Sequence, residues 1–311
     1  RHLKERKPVD FLGKKKIFFI VSIILCLAGP VMMGVNHARG IGAMNYSLDF
    51  VGGTSTNVTF DKDYSIDEID KEIVPVVEKV TGDNNVQTQK VAGTNQVIIK
   101  TVTLDLDKRE ALNKAMVDNF GVDESKITAE NISSTVSNEM RRDAVIAVVI
   151  ATICMLLYIW FRFKDVIFAG SAVLALIHDV IAVILVYGLT KISVGNTFIA
   201  CMLTIVGYSI NATIVIFDRI RENLQVHSSE EALAEVVNES ITQTLTRSIN
   251  TSLTTIITVV VLAILGVDSV KDFAIPLLAG FICGGYSSVC ITGTLWYSWK
   301  RVQFKRKKAK K

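Results

Sequence analysis

The sequence predicts an α-helical membrane protein with six transmembrane helices and one α+β domain inserted after the first of them. Half of the 311 residues are hydrophobic and only four are proline, a composition outside the range of ordinary soluble proteins. Six apolar runs are long enough for the roughly 20 residues that a helix needs to cross a bilayer. Residues 36–137, between the first two runs, contain no run of that length.

The six runs fix the predicted spans to within about 2–4 residues. They cover residues 17–35, 144–161, 166–190, 195–217, 248–267 and 273–299. The first run has the basic lead of a secretory signal, but it is longer than a signal core and no small-residue cleavage site follows it. We therefore interpret it as a retained membrane anchor.

Basic residues concentrate in the segments that would share one side of the membrane. These are the leader 1–16, the link between the second and third runs, the link between the fourth and fifth, and the tail 300–311. The opposite short loops contribute only Lys191 and Lys271. Because short cytoplasmic loops carry the excess of Lys and Arg, both termini are expected in the cytoplasm. Next to a membrane exit, the basic tail is expected to contact anionic lipid rather than nucleic acid.

The interval 36–137 alternates strand and helix patterns. Strands are predicted at 54–60, 85–91, 96–102 and 126–134, a turn at 92–95, and helices at 65–80 and 106–120. Ser65 and Glu68 have the spacing of a capping box at the start of the first helix, and Gly121 ends the second. The order β-α-β-β-α-β predicts a ferredoxin-like domain on the extracytoplasmic side.

The entry to this domain, YSLDFVGGTSTNV (46–58), contains Asp49 as a candidate cap followed by Gly52 and Gly53. Two glycines permit a tight turn before the strand or the close approach of another chain. This entry, together with residues 137–138 before the second span, is a candidate hinge.

The sequence offers no constellation for catalysis, for a metal or for a cofactor. All five cysteines lie inside the apolar runs, so neither a disulfide nor a metal cluster is expected. No phosphate-binding glycine loop and no nucleophile–base pair occur in the extracytoplasmic interval. A binding or mechanical module is therefore expected there, and we predict no enzymatic activity.

His178 and Asp179 interrupt the third run near its centre. A charged side chain at that depth costs about 2.5–3.5 kcal/mol even on lenient insertion scales. Two interpretations remain open. The pair is either a hydrogen-bonded lock on helix packing or a titratable site on a proton path.

The fourth and fifth runs each carry a polar face. Ser209, Asn211 and Thr213 lie within the fourth run, while Arg247 opens the fifth and shares one helix face with Asn250. These groups are candidates for interhelical hydrogen bonds, and Arg247 for either an inward counter-ion or a side chain that reaches the headgroups. We predict that Asp179, Asn211 and Arg247 converge on one interior face.

Five stretches taken together resemble the SecF proteins of the bacterial SecD/SecF family, relatives of the RND transporters. They are LDFVGGT (48–54), HDV (178–180), GYSINATIVIFDRIREN (207–223), RSINTSLTT (247–255) and DFAIPLLAGFICGGYSS (272–288), in the family's order. The residues that match the family motif are Asp49, Gly52, Gly53, Gly207, Tyr208, Asp218, Arg219, Arg221 and Asn250.

The resemblance implies a subunit that works with SecD at the bacterial cytoplasmic membrane and uses the proton-motive force to help draw preprotein from the SecYEG channel. Six helices correspond to half of an RND-type transporter, so a SecD-like partner is needed to cover the polar faces. The family further implies YajC and YidC as partners, contact with unfolded preprotein and membrane lipids, and neither nucleic acid nor a cofactor.

One position departs from the family. The family has an aspartate directly after the residue that matches Asn211, and it is taken to form a proton relay with the arginine that matches Arg247; here Ala212 stands in its place. The chain is then uncoupled from protons, or it relies on Asp179 and a carboxylate of the partner. A third explanation is a different cation bound through Asn211, Ser209 and Thr213.

Two other functions compete with the secretion subunit. One is a scaffold that stabilises a SecD or translocon complex without transport, which Ala212 favours. The other is half of an RND-type small-molecule exporter, for which a single small domain is a poor match.

Overall fold

The computed structural model describes residues 7–39, 43–91, 93–227, 229–266 and 268–309. In chain order its helices are α1 (Lys15–Ala38), α2 (Leu48–Val51), α3 (Ile66–Glu68), α4 (Val74–Thr81), α5 (Leu106–Phe120), α6 (Ser134–Phe163), α7 (Val166–Thr190), α8 (Asn196–Val226), α9 (Leu233–Leu265), α10 (Asp268–Tyr286) and α11 (Gly293–Ala309). Its strands are β1 (Gly53–Thr59), β2 (Gln87–Lys90), β3 (Gln96–Thr101) and β4 (Ile127–Ile132). Of the sequence-based predictions, residues 1–6 of the leader, position 92 of the turn, position 267 of the fifth span and residues 310–311 of the tail lie outside the described residues.

The chain forms two compact units. One unit consists of Tyr46–Ala147 with Ser193–Asn196 and is called the sheet unit below. The other, called the helical unit, takes the remaining described residues. The loop Ser193–Asn196 joins the sheet unit because the Ser47 N–H donates to the Val194 carbonyl at 2.9 Å.

The four strands of the sheet unit form one antiparallel sheet in the order β2-β3-β1-β4. The connections β1–β2 and β3–β4 each cross a neighbouring strand by way of helices, which is the ferredoxin-like arrangement predicted from the sequence. Alternate residues of β3 are buried, as expected for a sheet with one covered face. Val58, Ile99, Leu112 and Met116 are fully enclosed in the resulting core.

The helix that the sequence predicted to be continuous over 65–80 is interrupted. Its start is as predicted, because Ser65 and Glu68 form both hydrogen bonds of a capping box. After Glu68, however, residues Ile69–Ile73 form a π turn before α4 begins. Pro75 has no N–H to donate to the carbonyl four residues earlier, and the backbone accommodates the missing bond by widening.

The paired glycines lie at the start of β1, where the backbone is closely packed against neighbouring segments. Gly52 has φ +75° and Gly53 has φ +133°, and a Cβ atom on Gly53 would overlap the Thr101 carbonyl oxygen. Ser137 is buried and donates to the Leu48 carbonyl at 3.0 Å. The glycines thus bring the chain close to β3, and residues 137–138, expected to be a flexible approach to the second span, are part of α6. The residue at the cap position of α2 is Ser47 rather than Asp49, which lies in the first turn.

The helices that carry the predicted spans extend beyond the apolar runs. The predicted second span begins at residue 144, whereas α6 begins at Ser134; α8 continues to Val226 and α9 begins at Leu233. The last span comprises α10, a π turn over Ser287–Thr292, and α11. Hydropathy detects where side chains are apolar, but the backbone hydrogen bonds continue through polar helical turns.

Six helices are long and apolar enough to cross a membrane in the described part of the chain. They begin at Lys15, Ser134, Val166, Asn196, Leu233 and Val270. At one end of the helical unit, Trp296 stacks on Phe168 with ring centroids 4.8 Å apart, and Phe217 packs against the same phenylalanine. The predicted fold class, six membrane helices with one small α+β domain, is confirmed.

A glycine comparison tests the close packing at Gly53. Gly53→Ala combines a backbone angle that L residues avoid with overlap against β3, so we expect a loss of about 3 kcal/mol or more of unfolding free energy. Gly121→Ala is the matched control, because Gly121 also has positive φ but a Cβ there meets no atom within 4 Å. Gly121→Ala should lower the unfolding free energy by only about 1–2 kcal/mol, the cost of an L residue in the left-handed region. Denaturant unfolding of the detergent-solubilised chain measures both, and equal losses would contradict the steric explanation.

Acidification should loosen the start of the interrupted helix. The Ser65 N–H, followed by the Lys62 ammonium, lowers the pKa of the Glu68 carboxyl from 4.5 to about 2. A lowered pKa in the folded state means that the carboxylate stabilises the helix above pH 4.5 and that this contribution is lost as the pH falls toward 2. The protection factors of the Ser65 and Glu68 amides against hydrogen exchange should therefore fall over that range. In Glu68→Gln, whose side chain does not titrate, the exchange should show no such transition.

Candidate functional site: a buried carboxylate among three membrane helices

The Asp179 carboxylate lies at the centre of the helical unit and is 0% exposed. Ser209 of α8 donates to its Oδ2 at 2.6 Å, and Ser287, the first residue of the π turn after α10, donates to the same oxygen at 2.8 Å. Nδ1 of His178 lies 2.9 Å from Oδ1. Three membrane helices therefore supply groups to one carboxylate, and we call these four residues the Asp179 site.

Glycines in the last span let the helices approach closely enough to form this site. A Cβ atom on Gly280 would overlap the Ile205 side chain, and one on Gly284 would lie 3.3 Å from the Tyr208 ring and 3.6 Å from the Ser209 Cβ. The small-x-x-x-small spacing of Gly280 and Gly284 is typical of such helix contacts. The Gly284 carbonyl also accepts a second, longer bond from the Ser287 hydroxyl, at 3.3 Å.

The His178 ring has one nitrogen bonded and one unbonded. The residue is 5% exposed, and Nε2 has no hydrogen-bond partner among the described residues. The ring centroid lies 6.1 Å from that of Tyr286, whose hydroxyl donates to the Phe18 carbonyl of α1 at 2.9 Å. An imidazole in this position can donate to Asp179 through Nδ1–H or, as the other tautomer, accept a proton from it.

The other predicted relay residues lie apart from the Asp179 site. Asn211 and Arg247 are exposed on the surface of the chain, Ala212 is half-buried, and Thr213 is buried. Asn250 is also exposed. The predicted single polar face is therefore divided into an internal carboxylate and an outer polar surface on α8 and α9.

Across the described residues, no three His, Cys, Asp or Glu side chains lie close enough together to hold a metal ion. The Asp179 site supplies one carboxylate, two hydroxyls and one imidazole. Of these groups, the carboxylate and the imidazole can each bind a proton, and the hydroxyls can donate hydrogen bonds.

A model of the family described as protein export membrane protein SecD/SecF, C-terminal, matches residues 112–302, which include the whole Asp179 site. This chain belongs to the SecD/SecF family. A SecF protein of Sebaldella termitidis is 35% identical over 293 residues, covering 94% of this chain and 92% of that protein. The SecDF protein of Bacillus subtilis is 34% identical over 310 residues, covering 96% of this chain but 39% of its own length.

Solved SecDF structures share the fold. The crystal structure of SecDF from Thermus thermophilus matches with a TM-score of 0.78 and 31% identity, covering 96% of this chain and 40% of that one. A SecDF structure in a super-membrane-facing form matches with a TM-score of 0.69. The chain thus spans about two fifths of the SecDF proteins and nearly all of the SecF protein. Together with the six apolar helices, the relationship makes it a multi-pass membrane protein.

The SecD/SecF motif residues occupy two regions. Asp49, Gly52 and Gly53 are in the sheet unit, where Asp49 is half-buried and its carboxylate lies beside Gly195 of the α7–α8 loop. In the helical unit, Asp218 pairs with Arg162 of α6 at 3.0 Å, so the end of α8 is tied to a neighbouring helix.

Two further motif residues link the end of α8 to the neighbouring helices α9 and α6. Arg219 pairs with Glu222 at 2.6 Å and donates to Gln243 of α9. Arg221 donates to the Arg162 carbonyl at 3.1 Å. Gly207 faces open space, since a Cβ there would meet no atom within 4 Å.

Two serines that bond across helices do not stand out in the sequence, although both lie in the stretches that resemble the family. Ser287 donates to Asp179, and Ser252 of α9 accepts a 2.7 Å bond from the Tyr208 hydroxyl. Serines are common in membrane helices, where most bond to their own backbone. Only the position of Ser287 opposite Asp179 distinguishes it from its neighbour Ser288.

That neighbour provides a matched test of the Asp179 site. Ser287→Ala removes a donor from a buried carboxylate and should lower the unfolding free energy by about 1.5–3 kcal/mol. Ser288 is equally buried but bonds only to the Gly285 carbonyl of its own helix, so Ser288→Ala should cost less than about 1 kcal/mol. Thermal unfolding in detergent compares them.

The same pair in an Asp179→Asn background identifies the cause. The cost of Ser287→Ala should fall there, because the charge that its hydroxyl stabilises has been removed. An unchanged cost would show that Ser287 acts through packing alone.

Proposed function

We propose that this chain is a SecF-type accessory subunit of the Sec preprotein translocase, working with a SecD-like partner in the bacterial cytoplasmic membrane. The observation that carries the proposal is the Asp179 carboxylate, which is buried among three membrane helices in a chain of the SecD/SecF family. The proton-motive force is the proposed energy source for late steps of preprotein export.

The Asp179 site can hold two protonation states without rearranging its hydrogen bonds. Both serine hydroxyls donate to Oδ2, which leaves Oδ1 and the His178 Nδ1 to share the exchangeable proton. If the carboxyl is ionised, the ring nitrogen donates; if the carboxyl is protonated, the ring nitrogen accepts.

Proton movement through such a site supplies enough energy to shift a helix arrangement. One elementary charge crossing 100 mV releases about 2.3 kcal/mol, comparable with the few kcal/mol that separate two conformations of a protein. Neutralising Asp179 also weakens its bonds to α8 and the last span, because hydrogen bonds to charged groups are stronger than neutral ones. Protonation is thereby linked to the contact between these helices.

The outer polar surface supports a SecD-like partner. Asn211, Arg247 and Asn250 are exposed on helices that are long and apolar enough to cross a membrane, and a polar group facing hydrocarbon is unfavourable. A second membrane subunit that covers α8 and α9 would satisfy them. SecYEG, YajC, YidC and unfolded preprotein are further proposed partners on the strength of the family relationship.

We further propose the orientation that places both termini in the cytoplasm and the sheet unit outside it. The distribution of Lys and Arg supports this orientation, since Arg162, Lys164 and the basic residues of α11 fall on one side of the spans and Lys191 on the other.

Of the three explanations of Ala212, the geometry best supports reliance on Asp179. This carboxylate is present, enclosed and bonded to the helix that carries Ala212. A cation bound through Asn211, Ser209 and Thr213 is less well supported, because Asn211 is exposed whereas Ser209 and Thr213 are buried. A scaffold without proton coupling is the second candidate function, favoured by Ala212 itself.

Secretion in membrane vesicles separates the two functions. Complexes with the SecD-like partner are prepared from this chain, from Asp179→Asn and from the control Asp143→Asn, whose carboxylate is exposed on α6. Completion of preprotein export is measured with and without a proton uncoupler. We expect the uncoupler-sensitive export to fall about 100-fold or more in Asp179→Asn, the scale on which proton-transfer groups contribute, whereas Asp143→Asn should retain it.

Ala212→Asp provides the converse test. If Asp179 carries the coupling, this substitution changes the uncoupler-sensitive export little. A different result would be that export by the parent chain is insensitive to the uncoupler and that Ala212→Asp makes it sensitive. That result would contradict the Asp179 proposal and support the scaffold.

A further inference from the structure

A groove of about 420 Å³ runs along α11 beside the start of α7. Its lining residues are Ile167 of α7 and Trp299, Val302, Gln303, Arg306 and Lys307 of α11. The α11 residues are spaced i, i+3, i+4, i+7 and i+8, so they form one face of that helix. None of them belongs to the Asp179 site or to the outer polar surface of α8 and α9.

One end of the groove is apolar and open. Trp299 is 40% exposed and Val302 is 47% exposed, and both lie beside Ile167. The indole ring lies against α7 because position 170 is glycine, where a Cβ atom would come within 2.6 Å of the ring. A tryptophan held at the end of a membrane-spanning segment is typical of the membrane–water boundary.

The other end of the groove is basic and unpaired. Arg306 and Lys307 are exposed, and neither forms an ion pair within the part of the chain that the structure describes. Asp165, next to the groove residues of α7, is already engaged. Its carboxylate accepts the Ile167 N–H at 2.9 Å and binds the Lys300 ammonium at 2.8 Å. Two positive charges therefore remain at this end without a counter-charge.

Along α11, the groove side chains change from apolar to basic. This order matches a ligand that has an apolar chain and an anionic head group. Eight residues separate Trp299 from Lys307, a rise of about 12 Å along the helix, and long basic side chains can bend back toward the boundary. We propose that this groove binds an anionic phospholipid, with the phosphate against Arg306 and Lys307 and the start of an acyl chain against Trp299 and Val302. A phosphate alone would leave the apolar end uncovered, so the membrane lipid is the ligand that fits both ends.

Quenching of Trp299 by brominated lipids tests the site in the intact chain. The protein is reconstituted in phosphatidylcholine vesicles that contain a small fraction of brominated phosphatidylglycerol or brominated phosphatidylcholine. The Trp299 signal is the difference from Trp299→Phe. Since each basic side chain near a membrane surface favours anionic lipid about fivefold, we expect the apparent affinity for the anionic lipid to exceed that for the zwitterionic lipid by roughly 30-fold.

Matched double substitutions locate the effect. Arg306→Gln with Lys307→Gln should remove most of that preference, whereas Arg301→Gln with Lys305→Gln, which removes the same charge from residues outside the groove, should retain most of it. Exchange of the two groove cations, Arg306→Lys with Lys307→Arg, should also retain it and shows that the helix is intact. Equal quenching by both lipids in the parent chain, or equal losses in the two Gln pairs, would overturn the proposal.

Discussion

The need to stabilise one carboxylate within membrane-spanning helices determines how the helical unit is packed. Asp179 is completely enclosed, and an ionised group in such surroundings is tolerated only when donors replace the water that it loses. Ser209, Ser287 and His178 provide that replacement from three helices. Since each bond requires a separation below 3 Å, the α7, α8 and last-span backbones must lie close together at this level.

That closeness has visible consequences elsewhere in the chain. The close approach requires glycine at positions 280 and 284, because a side chain at either position would press against α8. The π turn begins at Ser287 itself, and such turns are frequent at functional sites because the extra residue redirects side chains. The sheet unit shows the same relation, since Gly53 begins β1 beside β3 and a Cβ atom there would overlap the Thr101 carbonyl oxygen. In both units, these glycines lie at close contacts between segments that are distant in the sequence.

The polar residues of this chain fall into two classes with different requirements. Those at the Asp179 site are satisfied within the chain, whereas Asn211, Arg247 and Asn250 are exposed on helices of membrane length. In the proposed function, the first class holds the exchangeable proton and the second is covered by a SecD-like partner. Ala212 follows Asn211 and is half-buried on α8. Because position 212 has no carboxylate, the proposed proton coupling relies on Asp179.

The sequence by itself determined the number of membrane helices, the β-α-β-β-α-β order and the capping box at Ser65 and Glu68, because these depend on local periodicity and spacing. Membership in the SecD/SecF family followed from motifs that are also local. Only the tertiary structure decided that Ser287 contacts Asp179 while Asn211 and Arg247 do not. The sequence shows that a helix has a polar face, but packing determines which helices lie against that face. The helix ends and the π turns were likewise decided by hydrogen bonding along the backbone, which hydropathy does not record.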